Sequence, residues 1–310
     1  MSQISAITLK QLRALIAVAE QGSLTGAAGV LHQTTPAVHS QIRKLEEAVG
    51  QALLLRGGAA DGFSLTAAGV AMERVARRIE GNLSQVESEI AAMTRGYSGH
   101  VRLSVVSTGK YFAPHLVLAL REQAPEIEIS LRVGNRQQVI ADLDQGMTEL
   151  AVMGRPPREP RVEAVPLGPH PHGIILPPGH RLAASDGFDP SMLMEETFLA
   201  REPGSGTRDL MMRYFDRLGE GIEPHLISMD SNETIKQAVM AGMGIALLSL
   251  HTCNEELQSG RLVALRGLGL PLMRQWYLVR PASAKPDAAT LRVARAIEDL
   301  AGSYLPRSPT

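Results

Sequence analysis

Residues 34–50 read TTPAVHSQIRKLEEAVG. Thr35 is placed to cap a helix, and Pro36 suits its first position, where a missing N–H costs nothing. Val38, Ile42, Leu45 and Val49 then recur at spacings of four, three and four, which is one buried helical stripe. His39, Ser40 and Arg43 fall on the opposite side, and Gly50 closes the helix.

Upstream, Leu9, Leu12, Ile16 and Ala19 mark a first helix that stops at Gly22. Ser23 is a good cap for a second, which carries Ala27, Ala28 and Leu31. Paired alanines permit a close helix crossing. Three short helices with a tight turn before the last predict a helix-turn-helix. Its last helix enters the DNA major groove N-terminal end first. Thr34, Thr35 and Pro36 then lie at the entry, where hydroxyls meet phosphate and methyl groups meet thymine. His39, Ser40 and Arg43 point toward base edges or phosphates. Downstream, Arg56 opens GGAADGFS (57–64), which reads as a wing between two short strands reaching the backbone or minor groove.

Bulk composition adds little. The 310 residues are 44% hydrophobic and 20% charged, with net charge −1. Residues 1–66 hold five basic residues (Lys10, Arg13, Arg43, Lys44, Arg56) against four acids (Glu20, Glu46, Glu47, Asp61). No strongly basic patch advertises nucleic acid. The single cysteine, Cys253, cannot form an internal disulfide and reads as a small apolar filler. The start MSQISAITLKQL lacks a secretory pattern, and no apolar run is long enough to span a bilayer. A cytoplasmic protein without a membrane partner is expected.

From Ala67 to Thr94 there is no proline. Met72, Val75, Ile79, Leu83, Val86, Ile90 and Met93 recur at threes and fours, a heptad-like seam. A second copy of the chain is the economical partner for such a seam. Beyond His100, strands alternate with helices, which argues for parallel α/β structure. VRLSVV (101–106), EISLRV (128–133), ELAVM (149–153), ETFLA (196–200), HLISM (225–229), GIALL (244–248) and QWYLV (275–279) are the strands. Proline-rich stretches near 156–160, 166–171 and 177–178 are expected to interrupt the alternation. Two α/β lobes with a cleft between them fit this pattern.

SLTGAAGVL (23–31), TTPAVHSQIRKLEEAVG (34–50), Leu54-Leu55-Arg56 and LTAAG (65–69) together resemble the LysR-type transcriptional regulators. His39 replaces the usual small hydroxyl residue, and Leu55 the usual Phe, which reads as a packing change. The resemblance implies a fold of α plus α/β class. A winged helix-turn-helix (1–66) leads through a linker helix (67–95) into an effector-binding domain (96–310). That domain is two-lobed and like a type 2 periplasmic binding protein. Lobe I covers about 98–166 and 271–305, and lobe II about 167–270. It further implies binding to a double-stranded DNA operator, dimerisation through the linker helix, a homotetramer, and contact with RNA polymerase.

VVSTGKYFAP (105–114), VGNR (133–136), MGRPP (153–157), REPGSGTR (201–208), SNETIKQAVMAGMGIALLS (231–249) and RQWYLV (274–279) narrow this further. They resemble regulators of Calvin-cycle carbon-fixation operons. Members respond to phosphorylated metabolites such as ribulose 1,5-bisphosphate, or to NADPH.

The residues support an anionic ligand in their own right, because ligands of α/β folds sit at the C-terminal ends of strands. Ser107, Thr108 and Lys110 follow the first strand. Asn135 and Arg136 follow the second, and Arg155 the third. In the other lobe come Arg201, Glu202, Gly204, Ser205, Gly206, Thr207 and Arg208. Asn232, Glu233 and Thr234 open a neighbouring helix. Helix starts favour anions, and arginine pairs well with phosphate.

A catalytic reading finds little. REPGSGTRD (201–209) lacks the Gly-Lys-Ser/Thr of a P-loop, and no Gly-x-Ser-x-Gly elbow occurs. His170, His172 and His180 lack metal spacing and read as surface or capping residues. Asp142 and Asp144 face different ways on a helix. Neither an enzyme nor a bound metal is expected. The competing reading is a two-lobed sugar-phosphate-binding protein or enzyme with an accessory helical domain.

Overall fold

The computed structural model describes residues 4–56, 62–184, 190–218, 224–283 and 285–306. The chain divides into two compact units, residues 1–87 with 145–147, and residues 88–144 with 148–310.

In the first unit, α1 (Leu9–Gln21) opens on a capping box. Thr8 accepts from the Gln11 N–H, while the Gln11 side chain accepts from the Thr8 N–H. Gly22, in the left-handed region at φ +62°, ends it. Ser23 caps α2 (Leu24–Val30) through the Gly26 N–H at 3.0 Å. The third helix, α3 (Thr35–Val49), is capped by Thr34, one residue earlier than the sequence suggested. Leu12, Leu15, Val18, Ala27, Ala28, Val38, Ile42 and Leu45 form the shared core. Then β1 (Leu54–Arg56) pairs antiparallel with β2 (Phe63–Leu65). Residues 57–61 of the expected wing, and the Arg56 side chain, lie outside the described residues. Leu55 is 54% exposed, so its substitution for Phe is not a packing change within the chain.

The 28-residue helix α4 (Ala67–Thr94) follows. Its seam is split. Met72 and Ile79 pack on the core just described. Val75, Leu83, Val86, Ile90 and Met93 are between 41% and 59% exposed.

The second unit starts with β3 (Gly99–Val106), α5 (Ala113–Gln123), β4 (Ile127–Gly134), α6 (Arg136–Asp144) and β5 (Leu150–Met153). β3 pairs parallel with both β4 and β5. Next comes β6 (Val162–Leu176), fifteen residues long. The proline-rich stretch 166–171 therefore lies inside a strand and does not interrupt it. A register slip explains this. Trp276 pairs with Gly168 and Tyr277 with Pro166, so Leu167 is a bulge, where missing donors are tolerated.

β7 (Thr197–Arg201), α7 (Gly206–Leu218), β8 (His225–Met229), α8 (Asn232–Met240) and β9 (Ala246–Ser249) build the other lobe. After α9 (Asn254–Gln258) and β10 (Val263–Ala264), β11 (Leu272–Pro281) returns and α10 (Ala288–Asp299) closes. The main sheet runs β10-β6-β11-β5-β3-β4, with β9 also on β6. β6 and β11 thus serve both lobes, and β6 is continuous across residues 166–167. One core gathers Leu103, Val105, Leu116, Leu150, Trp276 and Ile297. The other lobe has a core on each face. Ile174 and Leu247 point to one and Ile175 and Leu248 to the other, as strand alternation requires.

Candidate functional site

Two places carry chemistry. The first is the outer face of α3. Thr34, Pro36, His39 and Arg43 are exposed there, and Thr35 and Ser40 half-buried. The Thr34 hydroxyl accepts from the Ala37 N–H at 3.4 Å. The Arg43 Nε donates to Glu47 at 3.0 Å, one turn on, with its side chain 73% exposed. Such a pair is worth a few tenths of a kcal/mol and exchanges easily for a phosphate.

The second place is a cavity in the α/β unit of about 720 Å³, its mouth included. Ser107 and Thr108 enter from the end of β3, Arg136 from the start of α6, and Gly154 and Arg155 from the end of β5. Ser205, Gly206 and Thr207 bring the N-terminus of α7, and Asp209 and Arg213 follow on that helix. His170 and His172 come from β6 and Arg274 from β11.

Charge is the dominant feature. Four arginines (Arg136, Arg155, Arg213, Arg274) face one aspartate, Asp209. Burial, then the neighbouring Arg155 charge, holds the Arg136 and Arg213 guanidiniums below their ordinary pKa, against the opposing pull of Asp209. Mutual repulsion of this kind is relieved by an anion, and the start of α7 adds backbone N–H groups to receive one.

The histidines supply a neutral wall. His170 is 2% exposed and stacks on Trp276 with centroids 3.7 Å apart. The His172 Nδ1 lies 3.1 Å from the His170 carbonyl and donates to it, leaving Nε2 an acceptor. Burial pushes His172 down to about 3 and His170 well below its ordinary value. These two are therefore buried cavity residues, not surface or capping ones. The two-residue spacing that places them on one strand face was hidden by the intervening Pro171. His180 stands apart, 3.4 Å from Glu196.

Of the residues expected at an effector, Ser107, Thr108, Arg136, Arg155, Ser205, Gly206 and Thr207 are brought together. The others are used differently. Arg201 is 3% exposed, and its guanidinium is committed inside the protein. It donates to Glu202 at 2.7 and 2.9 Å, to Ser107 at 3.1 Å and to Asn232 at 2.5 Å. Arg208 donates to the Arg201 carbonyl at 3.0 Å. Asn135 accepts from the Gln138 N–H at 2.9 Å, capping α6. The carbonyl of Gly204, at φ +86°, accepts from the Gln137 N–H. These groups hold the cavity walls without lining it. Lys110 lies 3.8 Å from Glu233, which accepts from the Tyr111 hydroxyl and belongs to a different cavity. Thr234 is exposed. Arg213, Arg274, Asp209 and the two histidines were missed from sequence. Arg213 lies one and two turns beyond Asp209 and Gly206, on their helix face.

Among the described residues, no cluster of three His, Cys, Asp or Glu is placed to hold a metal ion. No described helix is long and apolar enough to cross a membrane.

A helix-turn-helix joined by a long helix to a two-lobed α/β unit with an anion-ready cavity defines a DNA-binding regulator that senses a small molecule. Comparison with known proteins agrees. Residues 9–70 match the bacterial regulatory helix-turn-helix of the LysR family, and residues 94–302 the LysR substrate binding domain. The chain belongs to the LysR family of transcriptional regulators. It is 55% identical over 309 residues to the HTH-type transcriptional regulator CbbR of Cereibacter sphaeroides, covering 100% of both chains. It is 40% identical to the RuBisCO operon transcriptional regulator of Allochromatium vinosum, covering 92% of this chain and 94% of that one. The solved regulatory domain of Synechocystis PCC6803 CcmR, in complex with 2-PG, is 31% identical with a TM-score of 0.61. That match covers 69% of this chain and 100% of the domain. These relatives are regulators rather than enzymes.

Proposed function

We propose that the protein controls a carbon-fixation operon by coupling operator binding to a phosphorylated metabolite held in the arginine cavity. The observation that carries this is the cluster of four arginines against one aspartate at the N-terminus of α7. A 2-PG complex of the similar CcmR domain supports the ligand class. The α3 residues Thr34, Thr35, Pro36, His39, Ser40 and Arg43, with Arg56, meet the double-stranded operator. The exposed half of the α4 seam joins two copies, and pairs of dimers form the homotetramer. Ligand binding shifts the population of one quaternary arrangement, moving the paired DNA-binding helices and altering contact with RNA polymerase. It does so only to the extent that it binds one arrangement better.

Calorimetric titration of the full chain with ribulose 1,5-bisphosphate, 2-phosphoglycolate, phosphoenolpyruvate and NADPH tests the reading. At least one is expected to bind saturably and to change the DNase footprint on the operator. Absence of binding by all four, or footprints unmoved by the binder, would overturn it.

A further inference from the structure

Arg201 ends β7 and Ser107 follows β3, so one belongs to each lobe of the α/β unit. The Arg201 Nη1 donates to the Ser107 hydroxyl oxygen at 3.1 Å and to the Asn232 side-chain oxygen at 2.5 Å. Its Nε and Nη2 donate to the two oxygens of the Glu202 carboxylate at 2.7 and 2.9 Å. A planar guanidinium anchored at Glu202 and Asn232 cannot turn, so the direction of its bond to Ser107 is fixed. Glu202 also balances its charge. The uncompensated charge offered to an anion comes from Arg136, Arg155, Arg213 and Arg274 instead.

A guanidinium has no lone pair to offer, so in this contact Ser107 can only accept. Its own proton is left over. Among the described residues, no side chain or backbone group takes that proton, and the hydroxyl does not cap the short turn it opens. Ser107 is half-buried and lines the arginine cavity. A hydroxyl with no fixed donor beside it rotates, and turns a lone pair to a neighbour as readily as its proton. A phosphate dianion only accepts, and is repelled by that lone pair. The Arg201 contact removes the choice.

We propose that Arg201 is a positioning residue for the ligand: by donating to Ser107 from the other lobe, it makes the Ser107 hydroxyl a dedicated proton donor to the bound anion. This deepens the phosphate reading of the cavity and rests on it. Arg201 does not line the cavity and acts only through Ser107. Because the arginine and the serine come from different lobes, the donor is aimed only while the lobes are together. A ligand that uses it therefore favours the closed arrangement.

A double-mutant cycle in the full chain tests it. Calorimetry with 2-phosphoglycolate, ribulose 1,5-bisphosphate, phosphoenolpyruvate and NADPH selects the tightest binder of the parent, which is then the probe throughout. Ser107→Ala should weaken it about tenfold, the loss of one hydrogen bond to a charged group. Arg201→Lys keeps the charge but not the fork, and should lose about as much in the parent and again in an Arg213→Ala background. In a Ser107→Ala background it should lose nothing further. Arg201→Gln made together with Glu202→Gln strands no buried charge, and carries the same cycle if Arg201→Lys does not fold. An equal loss in all three backgrounds would show an arginine that only holds the wall, and overturn the proposal. So would full affinity in Ser107→Ala or in Arg201→Lys. Either result leaves the phosphate reading standing, whereas a parent that binds none of the four compounds overturns both.

Discussion

The outer face of α3 and the arginine cavity do their work in opposite ways. The α3 residues, Thr34 to Arg43, come from one stretch of ten, and most are exposed. The cavity residues come from both lobes, between Val106 and Arg274, and most are partly or fully buried. A local site separates function from stability, because exposed side chains can change without disturbing a core. A buried, non-local site couples the two. Each prediction tests that separation.

Acid tests the coupling most severely. Burial pushes His172, on the arginine cavity, down to about 3 and His251, behind it against Trp276, down to about 4 in the folded protein, against about 6.5 in an unfolded chain. Above pH 6.5 both states are neutral there and stability does not respond. Between pH 6.5 and about 4 the unfolded chain binds protons that the folded chain refuses. Stability therefore falls as the pH falls, by up to about 1.4 kcal/mol per pH unit for each histidine. From pH 6.5 to 4.5 the pair costs up to about 5 kcal/mol. Urea midpoints against pH should slope less steeply in His172→Gln than in the parent. Parallel slopes would remove His172 from the account.

Arg213→Ala comes next. Losing a charge-assisted contact to phosphate costs about 1.5–3 kcal/mol, so ligand affinity should fall roughly tenfold to a hundredfold. The ligand-free protein should melt no lower, and slightly higher, because the variant removes a guanidinium that burial, and then the neighbouring Arg155 charge, hold below its ordinary pKa. A variant that bound normally, or that melted well below the parent, would show a structural arginine instead.

The same contrast explains what the sequence disclosed. Helix faces follow from a period of 3.6, so the stripe Val38, Ile42, Leu45 and Val49 needed no tertiary knowledge. Residues directly after strands, such as Ser107 and Arg155, were legible because ligands gather at strand ends. Arg274 was not, since it reaches the cavity only through the pairing of β11 with β6, opposite His170. Nor was β6 itself, whose prolines mimic a loop until the bulge at Leu167 is known. Arg201 misled in the other direction. Its position suggests an anion, but its buried guanidinium donates to Glu202, Ser107 and Asn232.

Arg43→Ala probes the local site alone. Its contact with Glu47 is exposed and contributes at most a few tenths of a kcal/mol to folding. Operator binding should weaken by about 1–3 kcal/mol while the melting temperature stays put. Mobility-shift and melting curves on one preparation decide it, and unchanged operator affinity would take Arg43 off the DNA.

Thr34 is where the separation should break down, by the smallest amount. Its hydroxyl caps α3 at a long 3.4 Å, and its methyl is exposed at the helix entry. Thr34→Ala removes both, and should cost about 0.5–1 kcal/mol of stability, the low end for a lost cap. Thr34→Ser keeps the hydroxyl and removes only the methyl. If the methyl meets a thymine, Thr34→Ser melts like the parent but binds the operator more weakly. If Thr34 is a cap and nothing more, Thr34→Ser matches the parent in both measurements. The α3 face then begins at Thr35, and its first functional hydroxyl is one residue further in.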